Sequence, residues 1–205
     1  MKFYQDVLFP RLLHLSMRTP AIRRRREALL PAATGRVLEV GIGSGLNLPY
    51  YGPGVTAVDG VDPSGALLAI AGDAVQDLHF PLSLHCVSAE ALPFENAAFD
   101  TVVSTWTLCS IPDPLAALVE MRRVLRPGGA LLFVEHGLSP DSGVARWQHR
   151  LTPYWRRCAG GCHLDRDIGS LIADARFGFE TLETGYLVPG PRLLTWHYQG
   201  VAHAA

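Results

Sequence analysis

The chain has 205 residues, 48% hydrophobic and 18% charged, which is enough apolar material to bury the core of one domain. Its formal net charge at pH 7 is −1, which argues against a protein built mainly to coat nucleic acid. Of its 18 basic residues only Lys2 is a lysine, so a P-loop, a tyrosine–lysine dehydrogenase pair and a Schiff-base lysine in the core are excluded.

The cysteines and the apolar runs indicate the compartment. A chain of this length does not need disulfides for stability, and its four cysteines form no CxxC pair. No apolar run approaches the roughly 20 residues that span a bilayer, and no signal peptide opens the chain. These features predict a reduced, cytoplasmic compartment.

The first 31 residues are predicted to be helical, with breaks at Pro10 and Pro20. The apolar positions recur at three- and four-residue spacing: Phe3, Val7, Leu8, Leu12, Leu13 and Leu15. Two interpretations remain open for this segment. It is a solvated helix face packed on the domain, or it has a functional role, either as a cap over the active site or as a weak contact with a membrane surface.

From residue 35 onward, short apolar strands alternate with turns and helices. Strands are predicted at 36–40, 55–61, 81–87, 99–104 and 130–134, with helices at 65–75 and 114–125 and a turn at 126–129. Continuous apolar strands that alternate with helices are typical of a parallel sheet covered on both faces. Right-handed crossovers then give a doubly wound α/β fold.

After residue 139 the pattern changes. A stretch rich in Trp, Arg, Cys and Gly, 140–167, is predicted to form a lid-like insertion. A helix at 168–176 and β-rich segments at 179–188 and 193–202 follow, and the last two predict an antiparallel hairpin. With no internal repeat and no low-complexity linker, the whole of 1–205 is predicted to be a single domain.

A glycine-rich turn follows the first strand, at the edge where open α/β sheets bind ligands. Its glycines, Gly41, Gly43 and Gly45, let the backbone approach a ligand closely. Leu46 makes the pattern GxGxG rather than the GxGxxG of dinucleotide folds. Glu39 puts an anion where a pyrophosphate would lie, which favours a ligand with an ammonium or sulfonium charge. The turn therefore favours S-adenosylmethionine over NAD, with a bare strand–helix turn as the alternative.

Further cofactor candidates follow the second and third strands. Asp62 is placed to accept hydrogen bonds from ribose hydroxyls, and Asp59, two residues earlier, competes for this role. Ser88 and the amide of Ala89 are candidates for the adenine edge. Glu90 either joins them or caps the following turn.

With these residues the chain resembles the class I S-adenosylmethionine-dependent methyltransferases, of the type that includes the ubiquinone/menaquinone biosynthesis enzymes. The matching stretches are VLEVGIGSG, VDPS, SAEALPFENAAFDTVVS and EMRRVLRPGGALLFVEH, which lie within 36–136. The resemblance implies S-adenosyl-L-methionine as cofactor, 36–136 as the cofactor-binding core, and a single-domain, Rossmann-like sheet of seven mostly parallel strands with helices on both faces. Ser88 departs from the Asp or Asn of many relatives.

Three further stretches resemble the mammalian microsomal thiol S-methyltransferases: Thr107-Leu-Cys-Ser-Ile111, Val134-Glu-His136, and Gly160-Gly-Cys-His-Leu164 with Arg166. This resemblance implies a small thiol acceptor, hydrogen sulfide included. Those relatives carry an N-terminal apolar membrane anchor, where this chain has a short amphipathic segment. The alternatives are methylation of a quinone ring carbon or a lipid amine and, from other classes, an NAD-dependent oxidoreductase or a non-catalytic module.

The methyl acceptor is expected at the carboxyl ends of the fourth and fifth strands. Thr105 is assigned there to the cofactor, and Trp106 and Cys109 to the substrate, with core packing as the alternative for both. His136 is the candidate base or orienting group, because its ordinary pKa lies near physiological pH. A histidine that bonds loop backbone is the alternative.

The lid-like insertion supplies the remaining candidates. Cys162 is assigned to the substrate, and His163 and Asp165 are catalytic candidates over the acceptor pocket. Cys158, Cys162 and His163 with His149 suggest zinc, but their spacing fits no standard structural site, so no metal is predicted.

The stretch 147–155 holds aromatics among arginines. An amphipathic helix under the lid is favoured there over a nucleic-acid patch. The predicted partners are therefore a small-molecule acceptor, no nucleic acid, and at most a peripheral membrane contact.

Overall fold

The computed structural model describes residues 8–73 and 78–204. Phe3 and Val7 of the predicted first helix, and Val75 at the end of the predicted 65–75 helix, lie outside the described residues. Within the described ranges, no helix is long and apolar enough to cross a membrane.

Two helices precede the sheet, α1 (Phe9–Ser16) and α2 (Pro20–Leu29). Pro10 lies in the first turn of α1, where its missing N–H has no intrahelical partner to lose. The predicted break before this helix stays a prediction, since residues 1–7 lie outside the described residues. Pro20 does begin a new helix, and the Thr19 side chain caps it by accepting a hydrogen bond from the Ile22 amide.

Seven strands form one sheet in the order β3-β2-β1-β4-β5-β7-β6. The strands are β1 (Gly35–Val40), β2 (Val55–Val61), β3 (Leu82–His85), β4 (Phe99–Thr105), β5 (Leu125–His136), β6 (Phe177–Tyr186) and β7 (Trp196–Ala204). The first five are parallel, and β7 runs antiparallel to both of its neighbours. The predicted α/β fold with a C-terminal antiparallel hairpin is confirmed.

Helices connect these strands: α3 (Gly65–Asp73), α4 (Pro114–Val124), α5 (Ser142–Cys158), α6 (Ile168–Asp174) and the short α7 (Arg192–Thr195). The helix predicted at 147–155 is the centre of α5. The prediction that its aromatics pack under the lid is wrong for Trp147 and Tyr154, because both side chains are exposed on the outer face of the helix. The strand predicted at 193–202 begins only at Trp196, because the chain first forms α7 after Pro191. The predicted turn at 126–129 lies within β5, where the pairing with β4 skips residues between Leu125 and Ala130.

The core lies on both faces of the sheet. Neighbouring residues of one strand belong to opposite apolar clusters, as Val102 and Val103 of β4 do. This alternation explains why the central strands read as continuous apolar runs. Buried polar side chains lie instead at the carboxyl ends of β1, β2, β4 and β5.

Candidate active site

The turn after β1 has a backbone conformation that requires glycine at three positions. Gly41, Gly43 and Gly45 have φ values of 71°, 56° and 75°, in the region that side-chain-bearing residues rarely adopt. A Cβ on Gly41 would lie 2.2 Å from Oγ1 of Thr107, so the loop after β4 packs directly on this turn. A Cβ on Gly43 would meet no described atom closer than 3.9 Å. The space opposite Gly43 is open to a ligand.

Asp62 faces this turn. Its carboxylate accepts hydrogen bonds from the amides of Gly43 (3.0 Å) and Ser64 (2.8 Å), and the residue is 7% exposed. Burial raises the pKa of Asp62, against the effect of these two bonds. Asp59 is occupied elsewhere, in an ion pair with Arg36 at 2.8 Å. The geometry supports Asp62 over Asp59 for the ribose contact.

Glu39 lies beneath the same edge and is 1% exposed. The Tyr51 hydroxyl donates to its Oε2 at 2.7 Å, and Asn47 Nδ2 donates to its Oε1 at 2.9 Å. Burial raises the pKa of Glu39 to about 7, although both hydrogen bonds pull it down. Asn47 also donates to Oγ1 of Thr105 at 2.9 Å, so Thr105 belongs to this buried polar group.

Sequence reasoning missed three members of this network: Arg26, Asn47 and Tyr51. Arg26 Nε donates to Asn47 Oδ1 at 2.8 Å, which links α2 to the acid of β1. The signal available in the sequence was faint. Asn47 is a polar residue between two leucines, directly after the glycines.

The N-terminal helices contact the edge where the glycine turn lies. His14 Nδ1 of α1 is 2.8 Å from Oγ of Ser44, within the turn itself. The Phe9 ring leaves no room for a Cβ on Gly160, which would come within 2.5 Å of it. Helix α1 therefore touches both the glycine turn and the segment after α5.

The adenine candidates bond to one another. Ser88 donates a hydrogen bond to Glu90, and Glu90 accepts a further bond from the amide of Asp113 at 3.3 Å, just before α4. Glu90 thus links Ser88 to the start of α4, and its predicted alternative role as a cap for the following turn stays a prediction. Ala89 is buried against the core. Adenine contacts by Ser88, Ala89 and Glu90 remain a prediction.

At the ends of β4 and β5 the structure brings together Cys109, His136 and Cys162. Their ligand-type atoms lie within 4.8 Å of one another, and His136 Nε2 is 2.9 Å from Cys162 Sγ. A hydrogen bond from Cys162 and the charge of His136 hold the pKa of Cys109 well below its usual range. The same bond raises the pKa of Cys162. Burial lowers the pKa of His136, but the charge of Cys109, a hydrogen bond to Cys109 and the charge of Glu135 together outweigh burial, and the net shift is upward.

Glu135 and Thr107 connect this cluster to the glycine turn. Glu135 is fully buried, and its Oε1 accepts from the Ser104 hydroxyl (2.8 Å) and the Thr107 amide (3.0 Å). Burial, helped by the nearby Cys109, raises the pKa of Glu135 to about 8. Because Thr107 also packs on Gly41, the cofactor candidates and the Cys–His–Cys cluster lie on adjoining loops.

A permanent cation lies beside the cluster. The half-buried guanidinium of Arg166 donates to the carbonyl of Leu108, the residue before Cys109. Burial lowers the pKa of Arg166, while the two cysteines oppose this shift. An arginine remains charged under such a shift, so the acceptor end holds a fixed positive charge.

Trp106 lies between the two regions. Its φ is 51°, and its amide donates to the carbonyl of Val134 at 2.8 Å. Arg26 lies over its ring at 5.0 Å from the centroid, and the ring of His197 meets it edge-on at 6.2 Å. Burial lowers the pKa of His197 to about 4, so this imidazole is neutral at pH 7.

The two catalytic candidates of the lid, His163 and Asp165, lie with His149 rather than with His136. Asp165 pairs with His149 of α5 at 2.9 Å, and His163 lies 3.9 Å from the same carboxylate. Neither belongs to the cluster around His136, so their catalytic roles remain a prediction. The suggested zinc ligands Cys158, Cys162, His163 and His149 do not come together. In the described ranges, the one group of His, Cys, Asp or Glu side chains close enough to share a metal ion is the Cys–His–Cys cluster.

Comparison with known proteins identifies the family. The profile of a family described as a methyltransferase domain matches residues 38–133. Phosphatidylethanolamine N-methyltransferase of Cereibacter sphaeroides is 36% identical over 170 residues, which cover 82% of this chain and 81% of that protein. Thiol S-methyltransferase TMT1B of Rattus norvegicus is 35% identical over 150 residues, covering 72% of this chain and 62% of the rat protein. The chain thus spans less than two thirds of that relative.

A solved structure matches the fold along nearly the whole chain. An S-adenosylmethionine-dependent methyltransferase of Methanosarcina mazei has a TM-score of 0.68, with 91% of this chain and 97% of that chain covered. The two sequences are 21% identical, so this likeness concerns the fold alone.

Proposed function

The chain belongs to the class I S-adenosylmethionine-dependent methyltransferases, and on that premise we propose that it transfers a methyl group to a small thiol. Its cofactor is S-adenosyl-L-methionine, which excludes the NAD-dependent alternative. The observation that carries the choice of acceptor is the fixed cation of Arg166 beside two cysteine sulfurs at the acceptor end.

The residues of the crevice fit this cofactor. A side chain at Gly43 would enter the open space where the adenosyl group approaches the backbone. In the proposal Asp62 binds the ribose hydroxyls, and the charge of Glu39 favours the ammonium group of the methionine end. When bound, the cofactor supplies a methyl group already activated by its sulfonium. The protein therefore has to position the acceptor and keep its nucleophile deprotonated.

The charge of Arg166 favours one class of acceptor. A thiol, with an ordinary pKa of about 8.5, is partly ionised at neutral pH, and a buried cation stabilises its thiolate. A lipid amine is protonated and positive at that pH, so the same cation repels it. A quinol carbon needs a base to remove the ring hydroxyl proton, whereas a thiolate needs none.

The reaction is balanced without a further reactant. The thiol releases its proton, the sulfur lone pair forms a bond to the methyl carbon, and the bond from that carbon to the sulfonium breaks. An alkyl thiol gives a methyl thioether and hydrosulfide gives methanethiol, in each case with S-adenosylhomocysteine and the released proton as the other products. We propose that His136 orients the thiolate and that Trp106 packs against it, while the described part of the N-terminal segment, 8–31, and the insertion 140–167 cover the crevice as cap and lid. Contacts from His14 to Ser44 and from Phe9 to Gly160 support that enclosure.

A lipid amine is the second candidate, because the Cereibacter relative that matches 82% of this chain is a phosphatidylethanolamine N-methyltransferase. Exposed apolar side chains on the outer faces of α1 and α5 are compatible with a lipid surface: Leu8, Leu12, Leu15, Trp147, Leu151 and Tyr154. In this candidate the acceptor amine has to lose its proton in a site that already holds a cation.

A panel of acceptors tests the proposal. The protein is incubated with methyl-labelled cofactor and, in separate reactions, with hydrosulfide, ethanethiol, a quinol, or vesicles of phosphatidylethanolamine. The thiols are expected to be methylated, and replacing Arg166 by Met should lower kcat/KM for them at least tenfold. Arg157→Met, on the last turn of α5, is the matched control and should leave that value unchanged. Label in the ethanolamine head group or the quinol, with none in thioether, would overturn the thiol assignment.

A further inference from the structure

Cys109, His136 and Cys162 form a compact cluster of two thiols and one imidazole. Its members come from three separate segments: the loop after β4, the end of β5, and the segment after α5. The amide of His163 donates to the carbonyl of Cys109 at 2.8 Å, which fixes the third segment against the first. Two sulfurs and an imidazole nitrogen are thereby held at one point of the carboxyl edge.

The spacing of these atoms suits a metal ion. Two ligand atoms that share a tetrahedral zinc ion lie about 3.5 Å apart, since zinc binds sulfur at ~2.3 Å and nitrogen at ~2.0 Å. The three atoms here all lie within 4.8 Å of one another, and His136 Nε2 is 2.9 Å from Cys162 Sγ. Side-chain rotations that move each ligand atom by about 1 Å or less bring these interatomic distances to those of a zinc site. Two thiolates and an imidazole are a ligand set typical of zinc.

Neighbouring groups have the features expected around such an ion. The indole N–H of Trp155 donates to Cys162 Sγ at 3.3 Å, as outer-shell donors do to thiolate ligands. The guanidinium of Arg166 next to Cys109 offsets the negative charge that two thiolates bring. Cys109 and Cys162 are 2% and 8% exposed, so water has little access to their sulfurs.

We propose that Cys109, His136 and Cys162 bind a zinc ion whose fourth position takes the acceptor thiol as a thiolate. Three protein ligands with one open position are typical of catalytic rather than structural zinc. A thiol that binds zinc gives its proton to solvent, so the ion deprotonates the acceptor without a general base. The role of the fourth position rests on the proposed thiol acceptor, but zinc binding itself does not.

Metal content of the purified, reduced chain tests the binding. The protein is loaded with zinc, freed of unbound metal by gel filtration and analysed by atomic emission. Wild type is expected to retain one zinc per chain, and Cys109→Ser, Cys162→Ser and His136→Gln should each lower the retained zinc at least tenfold. Cys86→Ser and Cys158→Ser, at exposed positions, are the matched controls and should retain it. Binding of S-adenosylhomocysteine verifies that each variant is folded.

Two results would overturn the zinc site. One is a wild type with four reduced thiols and no retained zinc. The other is zinc that survives in all three ligand variants and is lost in the controls. Trp155→Phe gives a graded check, since loss of its hydrogen bond should weaken zinc affinity about tenfold.

Cobalt substitution tests the fourth position without methyl transfer. In the cobalt-loaded protein, ethanethiol is expected to raise the thiolate-to-cobalt absorption by about half, because the thiolate ligands increase from two to three. Ethanol is the control and should leave the spectrum unchanged. A spectrum that ignores the thiol overturns the acceptor role of the site. A spectrum that responds while no methylated thiol forms upholds thiol binding at the metal, and it refutes both the proposed function and the acceptor role of the fourth position.

Discussion

Replacement of Glu39 by Gln should make the ligand-free protein more stable and its cofactor binding weaker. Glu39 is 1% exposed, and its amide isostere keeps groups that can bond to both Asn47 and Tyr51. What the substitution removes is a buried charge. Such a charge costs stability in the folded state, yet it attracts a cationic ligand.

The magnitude follows from the pKa of Glu39, which burial raises from an ordinary 4.5 to about 7. A carboxyl whose folded pKa is raised binds its proton more tightly when folded, so stability is lost as pH rises from 4.5 to 7. At about 1.4 kcal/mol per pH unit, the full loss above pH 7 is about 3 kcal/mol. Between pH 5 and pH 8 the free energy of unfolding of the variant should rise by roughly 2–3 kcal/mol relative to wild type.

Urea denaturation of the ligand-free protein at pH 5 and pH 8 measures this gain, and calorimetry with S-adenosylhomocysteine measures affinity. Wild-type affinity should fall about tenfold from pH 8 to pH 6, where only about a tenth of a group of pKa 7 is ionised. The affinity of the variant should change little over this range. Glu27→Gln, at an exposed position of α2, is the control for both measurements. A variant less stable than wild type at pH 8, or wild-type affinity independent of pH, would refute the reasoning.

Four further substitutions test the cofactor crevice and the buried network beside it. Asp62→Ala should weaken the binding of S-adenosylhomocysteine at least a hundredfold in calorimetry. Asp59→Ala breaks the ion pair with Arg36, so it should lower stability and leave this affinity within threefold of wild type. The reverse result would assign the ribose contact to Asp59. Gly43→Val should abolish binding and cost about 1–2 kcal/mol in urea denaturation, because its φ is 56°; retained affinity would contradict the open space assigned to the ligand. Arg26→Met should destabilise the protein by about 2 kcal/mol, since Asn47 loses a buried charged partner, and an unchanged denaturation midpoint would contradict that network.

Elements whose information is local could be predicted from the sequence. Strand β2 has the predicted bounds of 55–61, because a continuous apolar run ends at a carboxylate and a proline. Helix α4 begins at the predicted Pro114, where Asp113 caps it through the amide of Ala116. The start of β7 was misplaced because the turn of α7 has the same apolar residues as a strand.

Contacts between distant segments could not be predicted. Cys109 and Cys162 were each assigned to the acceptor pocket, but no periodicity or spacing relates the loop after β4 to the segment after α5. Their meeting depends on tertiary contacts such as the hydrogen bond from the His163 amide to the carbonyl of Cys109. The network of Arg26, Asn47 and Glu39 likewise depends on α2 folding back over the first strand. Contacts of this kind between distant segments cannot be inferred from the residue pattern of a single sequence.

A crystal structure of the protein with S-adenosylhomocysteine tests most directly whether the glycine crevice and the Cys–His–Cys cluster form one active site. The expected result is an adenosyl group opposite Gly43, a ribose on Asp62, and a cofactor sulfur that faces Cys109 and His136 across an open acceptor space. A ligand that binds elsewhere, or a cofactor sulfur walled off from that cluster by protein side chains, would contradict it.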